Sequence, residues 1–548
     1  MKALQLKSLK SLFFLLALSL TLSGCGSTAL VNTPIESIAG VPEKVAELEE
    51  SEAERWGHAD LITDTIPGMS VTRAYKEILP NLKVQEKVVV AVLDSGIDLN
   101  HEDLDGVLWT NADEVPGNNL DDDKNGYVDD IHGYNFLGES LPEQLEYARI
   151  VRLKIGDAAL QEKARKLLEA ERPEAEANGA RYTQIMETVE ASDAAIQSHL
   201  GKSVYTAEDL ANIETTDPEL QQNIAVLQQM FNFAPSIEDV KTQLEGGVKY
   251  FDEQVKYNLN PDFDGRAVVG DDPYDFNSRG YGNGNPMNRS EDESHGSHVA
   301  GIIAAERGNG LGIDGVADHV EIMSIRAVPN GDEYDKDIAL GIRYAVDNGA
   351  RIINASFGKS FSPNKEWVYE ALKYAAEKDV LFVHAAGNDG NDLDDTANEN
   401  YPNDQVFTGP EMVDNVITVG SLDQTYGPGM VSSFSNYGKT NVDIFAPGGG
   451  IYSTMPGSSY EFQGGTSMAA PAVSGIAALI LSRYPKLSAS QVKKIIMQSG
   501  LQVTLEVNVG GDEAVKKPLT AISRTGKMAN AYNALILADQ VSRGKISL

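Results

Sequence analysis

The stretch Val88-Val89-Val90-Ala91-Val92-Leu93-Asp94-Ser95-Gly96 decides the fold. An unbroken apolar run rich in β-branched residues stops at a turn signal. A run without polar alternation reads as a strand buried on both faces, which is the situation of a parallel sheet packed between helices. Similar runs recur at 320–325, 350–355, 380–385 and 416–419, with helical patterns between them at 337–347 and 365–378. The alternation predicts an α/β fold with a doubly wound, mostly parallel sheet flanked by helices, in which chemistry collects beyond the carboxyl ends of the strands. Asp94 stands at such an end.

Outward from that core the character changes between residues 139 and 257. Leu160, Ala164, Leu167 and Leu168 fall at helical spacing. Asp217-Pro218 reads as a cap and first-turn proline, with Leu220, Ile224, Leu227 and Phe231 on one face behind it. Glycine is scarce until Gly246-Gly247. The pattern predicts a helical insertion subdomain over 139–257, set within an α/β domain made of 87–138 and 258–548. A helical run from Pro471 to about 484, a capping box at Ser488–Gln491 and a last helix around 528–541 complete that domain. Residues 25–86, punctuated by Pro34, Pro42, Pro67 and Pro80, read as a tether and lead-in segment.

Composition limits the function classes. The 548 residues are 42% hydrophobic and 23% charged, as in soluble globular proteins. Lys plus Arg number 45 against 81 Asp plus Glu, a formal charge of -36, so a nucleic-acid partner is not expected. The single cysteine excludes an intrachain disulfide and a Cys-rich zinc site. Lys2, Lys7 and Lys10 precede an apolar run over 12–22 that is too short for a membrane span, which needs about 20 residues. This predicts an export signal over 1–24. Leu22-Ser23-Gly24-Cys25 resembles the bacterial lipoprotein box, in which the cysteine is lipidated and begins the mature chain. That resemblance implies a lipid-anchored cell-envelope protein, at the outer membrane, facing the periplasm or at the cell surface. A plain signal peptide and an uncleaved anchor are the alternatives.

Three short motifs carry chemistry: Asp94-Ser95-Gly96-Ile97-Asp98, His295-Gly296-Ser297-His298-Val299-Ala300-Gly301, and Gly464-Gly465-Thr466-Ser467-Met468-Ala469-Ala470-Pro471. Singly they read as a turn cap, a pair of histidines on one helix face able to hold a metal, and an N-cap serine. Together, in the order Asp, His, Ser, they resemble the subtilisin-like serine proteases over about 85–138 and 258–540. The resemblance implies a serine endopeptidase working through an acyl-enzyme, with Asp94 as the triad acid, His295 as general base and Ser467 as nucleophile; His298 is then a packed helix residue. Such chemistry needs these residue types, since a serine hydroxyl is a weak nucleophile until an imidazole takes its proton. The G-x-S-x-G elbow of α/β-hydrolases is not met at Ser467, because Ala469 stands at its second glycine.

Further residues follow from the same resemblance. Ala385-Ala386-Gly387-Asn388-Asp389-Gly390 is similar to the oxyanion-hole segment, with Asn388 as donor to the tetrahedral intermediate. Ser356-Phe357-Gly358 is similar to the edge lining the primary specificity pocket, where protein or peptide substrates add as a strand. Asp332, Glu333 and Asp335 fall on the opposite binding edge, as a preference for basic side chains or as a solvated loop. Asp103 and Asn309 match a family calcium site.

A second candidate calcium loop comes from spacing alone. Asp121, Asp123, Asn125, the Tyr127 carbonyl and Asp129 alternate as oxygen donors around Gly126, although His132 stands where a bidentate Glu belongs. Asp94 and His295 are 201 residues apart, most of that being the insertion, which either assists or covers the cleft or is ornamental. Other readings of the chain are a catalytically silent peptide-binding lipoprotein on the same fold and an assembly lipoprotein that docks through the insertion. The sequence sets no oligomeric state.

Overall fold

The structure, a computed structural model, describes residues 30, 33–38, 41, 48–405 and 409–548. The export signal and Cys25 lie outside the described residues. The run at Val88 forms strand β1 (Val88–Asp94), followed along the chain by β2 (Gly133–Asn135), β3 (Val320–Arg326), β4 (Ile352–Ala355), β5 (Leu381–Ala385), β6 (Val416–Leu422) and β7 (Ile444–Pro447). Two antiparallel hairpins stand apart, β8 (Ile451–Met455) with β9 (Ser459–Gln463) and β11 (Glu506–Val509) with β12 (Asp512–Pro518). With the short β10 (Leu501–Gln502) and β13 (Lys527–Met528), the other strands make a nine-stranded sheet of order β10-β13-β7-β6-β5-β4-β1-β3-β2. Only the β10–β13 pair at its edge is antiparallel.

Strand order reverses about β1, which pairs with β3 on one side and β4 on the other. In open α/β sheets such a switch leaves a crevice beyond the carboxyl ends. Register fixes what emerges there. Leu93 pairs with Ala355 and Ala355 with His384, so Asp94, Ser356 and the turn after Ala385 leave the sheet at one edge.

Helices cover both faces. The lead-in supplies α1 (Glu50–Ala53), which buries no residue, and α2 (Val71–Glu77), which packs Val71 and Ala74 into the core. The insertion supplies α3 (Glu146–Leu153), α4 (Ala158–Leu200), α5 (Ala207–Ala211), α6 (Pro218–Met230) and α7 (Ile237–Glu253). The main domain continues with α8 (His295–Ala304), α9 (Asp335–Asp347), α10 (Lys365–Glu377), α11 (Thr466–Arg483), α12 (Ala489–Ser499) and α13 (Ala531–Ser542). Because side chains alternate across a strand, Val88, Val90 and Val92 pack on α8 and α11, while Ala91 and Leu93 pack on α9. Helix α11 has the length and apolarity of a membrane span, yet it is buried in this core, which accounts for its composition.

The lead-in differs from the tether expected over 25–86. Trp56, Leu61, Met69, Val71 and Ala74 are buried. Trp56 Nε1 donates to Gly450 O (3.0 Å), Asn530 Nδ2 donates to Ser70 Oγ (2.7 Å) and Arg73 pairs with Glu36 (2.6 Å). Prolines broke the periodicity that would have revealed a folded segment, and partners such as Gly450 and Asn530 lie hundreds of residues away.

Within the insertion, Asp157 and Asp217 cap α4 and α6 through their carboxylates. Helix α4 has 43 residues, about 65 Å at 1.5 Å per residue. Its first half packs Ala164 and Leu168 with Tyr147, Ile150 and Phe361, rooting the insertion on the main domain. Its second half carries Val189 and Ile196 into a separate cluster with Leu210, Leu227 and Val240. Gly246 and Gly247 fall inside α7. A Cβ at Gly247 would sit 2.2 Å from the Tyr182 ring, so the missing side chain lets α7 close on α4.

Candidate active site

Asp94 ends β1 almost fully buried, and His295 opens α8. His295 Nδ1 and Asp94 Oδ1 are 2.7 Å apart, and the same oxygen accepts the Ser95 N–H (2.7 Å). A buried carboxylate bonded to Nδ1 sets the tautomer that leaves Nε2 as a base. Burial works against a charged imidazole here, but the Asp94 charge and hydrogen bond outweigh it and hold the His295 pKa above its ordinary value. Close approach of the two segments needs a glycine: a Cβ at Gly296 would meet Gly96 O at 2.2 Å.

Ser467 is the second residue of α11, half-buried at the helix N-terminus. Its hydroxyl donates to Ser356 O (3.1 Å), and no hydrogen bond joins it to His295. Pro471 has no N–H to offer the Ser467 carbonyl four residues back, and that carbonyl instead accepts from Ser356 Oγ (2.8 Å). Ser356 Oγ in turn accepts from Asn354 Nδ2 (2.9 Å), and Asn354 Oδ1 from Ser474 Oγ (2.8 Å). This buried polar chain ties the serine to the edge of β4.

Asn388 lies exposed in the turn after β5. Its Oδ1 accepts from both the N–H and the hydroxyl of Thr466 (2.9 Å each), which turns Nδ2 outward. A Cβ placed on Gly465 would stand 3.4 Å from Asn388 Nδ2 and 3.6 Å from Ser467 N, so two donors flank one vacant point beside the serine. Donors arranged around such a point suit a developing oxyanion. Thr466 and Asn354 were not singled out from sequence; their signal is only that each neighbours a motif residue.

Ser356, Phe357 and Gly358 line a cleft of about 670 Å³ together with Asp94 and His295. His384 lies beneath, its Nε2 2.8 Å from Phe357 O, and burial lowers its pKa to about 4. His298 is buried at the carbonyls of Ile451 and Glu461, also lowered to about 4 by burial. The acidic edge at 332–335 is not an open anionic wall. Asp332 Oδ2 accepts the Glu146 N–H, Glu333 is buried, and Asp335 pairs with Lys359 (2.9 Å). Asp332 and Asp335 are spent on the root of the insertion, where Arg149 and Lys359 also hold Glu146 (2.6 and 2.8 Å), while Glu333 lines the cleft, its carboxyl pushed up by burial.

The acidic loop folds differently from its spacing. Asp121 accepts the backbone N–H groups of Asn125 and Gly126, and Asp129 those of Gly117, Asn118 and Asn119, so both shape turns instead of facing a common point. The Tyr127 ring packs edge-on against Tyr134 and Tyr344. The group that converges is Glu114, Asp123 and Asp130, each offering an oxygen within 4.8 Å of the others, with Asn125 Nδ2 bonded to Asp123 and Asp130. Glu114 lies before the alternating run and Asp130 one step past Asp129, so the repeat itself gave no sign of either. Burial, with the neighbouring Asp123 charge, pushes Asp130 up to about 6 against its hydrogen bonds from Tyr344 and Asn125. Asp103 and Asn309 do meet, but as a hydrogen-bonded pair (2.7 Å), and Ile313 N and Tyr460 Oη also donate to Asp103.

Known proteins resemble part of the chain. A thermophilic serine proteinase of Bacillus sp. (strain AK1) is 40% identical over 237 residues, 43% of this chain and 52% of that protein. This chain thus spans about half the length of that relative. Thermitase of Thermoactinomyces vulgaris is 38% identical over 264 residues, 48% of this chain and 84% of its own. A solved structure of the subtilase cytotoxin assembly aligns at 26% identity with a TM-score of 0.40, over 48% of this chain and 82% of that one. The family model described as the subtilase family matches residues 85–517, which begin just before β1, take in Asp94, His295 and Ser467 in their order, and enclose the whole insertion. The chain belongs to the subtilase family.

Proposed function

We propose that the protein is a serine endopeptidase that cleaves peptide bonds through an acyl-enzyme. Ser467 is the nucleophile, His295 the general base and then general acid, Asp94 the group that orients and stabilises the imidazolium, and Asn388 with Ser467 N–H the oxyanion donors. The observation that carries this reading is the 2.7 Å bond between His295 and a buried Asp94 in the cleft that Ser356 lines, itself bonded to Ser467. Extended peptide substrates add along Ser356–Gly358 by backbone hydrogen bonds. A serine-directed fluorophosphonate labels wild type, and Ser467→Ala abolishes labelling; a folded wild type that resists the reagent overturns the proposal.

Structural calcium and a lipid anchor belong to the same proposal. The Glu114, Asp123 and Asp130 oxygens fit a hard cation, since three carboxylates crowd together and no basic side chain among the described residues hydrogen-bonds to them. A bound calcium supplies charge neutralisation and cross-links the loop. At free calcium a hundredfold above its Kd the stabilisation is about 2.7 kcal/mol. Calcium is therefore expected to raise the Tm of chelator-treated protein by several degrees, and Asp123→Asn to remove that increment; an equal increment in the variant assigns the effect to another site. The basic start, apolar core and Leu22–Cys25 box support lipidation of Cys25 and a cell-envelope location.

A further inference from the structure

The cleft beside His295 has a wall that comes from the insertion. Lys249, Tyr250 and Glu253 of α7, with Tyr257 just beyond it, line it together with Ser356, Phe357 and Gly358. Tyr250 is a large side chain left 57% exposed there. Its ring is backed edge-on by Phe251 (5.1 Å), which meets Tyr182 of α4 (5.4 Å). An aromatic ring supported from behind and bare in front, in a substrate cleft, offers apolar area to whatever enters.

The wall is fixed to the parts of the main domain that shape the cleft. Lys249 pairs with Asp292 (2.7 Å), three residues before His295, and Asn330 Nδ2 donates to Glu253 Oε2 (3.0 Å). Helix α7 runs on into a π-helical turn over Gln254–Asn258, and the buried Asn258 donates Nδ2 to Glu143 O (2.8 Å) and Asn330 O (3.1 Å). Below, α3 is rooted by the buried Glu146, Arg149 and Lys359 charges. Breaking such a buried network costs several kcal/mol, which fixes α3 on the main domain, while α7 is held at the cleft rim by the Lys249, Glu253 and Asn258 contacts.

We propose that α7 is a specificity wall: Tyr250 packs on one side chain of an extended substrate bound along Ser356–Gly358 and selects a large apolar residue there. This rests on the endopeptidase reading. The test uses the full chain and peptides identical except at the one upstream position, carrying Leu, Ala or Asp. In wild type the Leu peptide is preferred through KM. Tyr250→Ala raises KM for the Leu peptide about tenfold, the order expected from losing part of a buried aromatic contact, with kcat and the Ala peptide unchanged. Tyr250→Phe restores the wild-type preference. An unaltered Leu-to-Ala ratio in Tyr250→Ala, or an equal rise in KM for all three peptides, overturns the proposal. Fluorophosphonate labelling of Ser467 at the wild-type rate in every variant separates that outcome from failure of the endopeptidase reading, in which wild type itself is unlabelled.

Discussion

Ser467→Ala is expected to lower kcat by about 10⁶ while leaving the Tm near that of wild type. The size of the loss is carried over from subtilisin, where it is known. The structural reason lies in this chain: Ser467 Oγ makes one hydrogen bond, to Ser356 O, and removing it leaves the accepting carbonyl beside an open cleft. The anchor of the helix start is the Ser467 carbonyl on Ser356 Oγ, which alanine keeps. Kinetics with a peptide substrate, beside a thermal melt, check both halves. A small residual rate survives, because Asn388 and the helix N-terminus still stabilise an oxyanion formed by water attack. A variant retaining even a hundredth of wild-type kcat would mean that Ser467 is not the nucleophile.

Asp94→Asn is expected to cost about 10⁴ in kcat/KM and to move the acid limb of the pH profile downward. In wild type the base form of His295 is required, so activity rises with pH through the His295 pKa, which Asp94 holds above the ordinary value of 6.5. With a neutral amide at position 94, burial acts on the imidazole unopposed and the pKa falls. The rate loss has a separate origin: an asparagine that donates to Nδ1 fixes the wrong tautomer, and the imidazolium formed during attack loses its counter-charge. Measuring kcat/KM from pH 5 to 9 for both proteins separates the two effects. An unshifted acid limb would show that another group governs it.

The core and the three motifs were legible because their signals are local. Unbroken apolar runs mark β1, β3, β4, β5 and β6, and each motif residue sits within a few positions of a strand or helix end. Short edge strands such as β2 and β10 gave no such signal, since two or three residues carry no periodicity. The folded lead-in was missed for a different reason. Trp56 is ordered by Gly450, 394 residues away, and Arg73 by Glu36 and Asp60, 37 and 13 residues before it, pairings that periodicity does not encode. The acidic loop shows the limit most directly. A carboxylate in such a run can bind backbone N–H groups or a cation, and spacing does not distinguish the two. Asp121, Asp129 and Glu114 all accept backbone N–H groups, and Glu114 and Asp130 converge with Asp123 from outside the repeat.

By itself the sequence determined the fold class, the order of Asp94, His295 and Ser467, and the existence of a helical insertion, because short-range periodicity and turn chemistry set those. Tertiary structure alone decided that Asp94 and His295 meet across 201 residues and that Thr466 aims Asn388. It also decided that Asp332 and Asp335 serve the root of the insertion while α7 and Glu333 line the cleft. The physical reason is that a side chain's role follows from which partner reaches it first in the packed chain, and those partners are brought by long-range burial that no local pattern encodes.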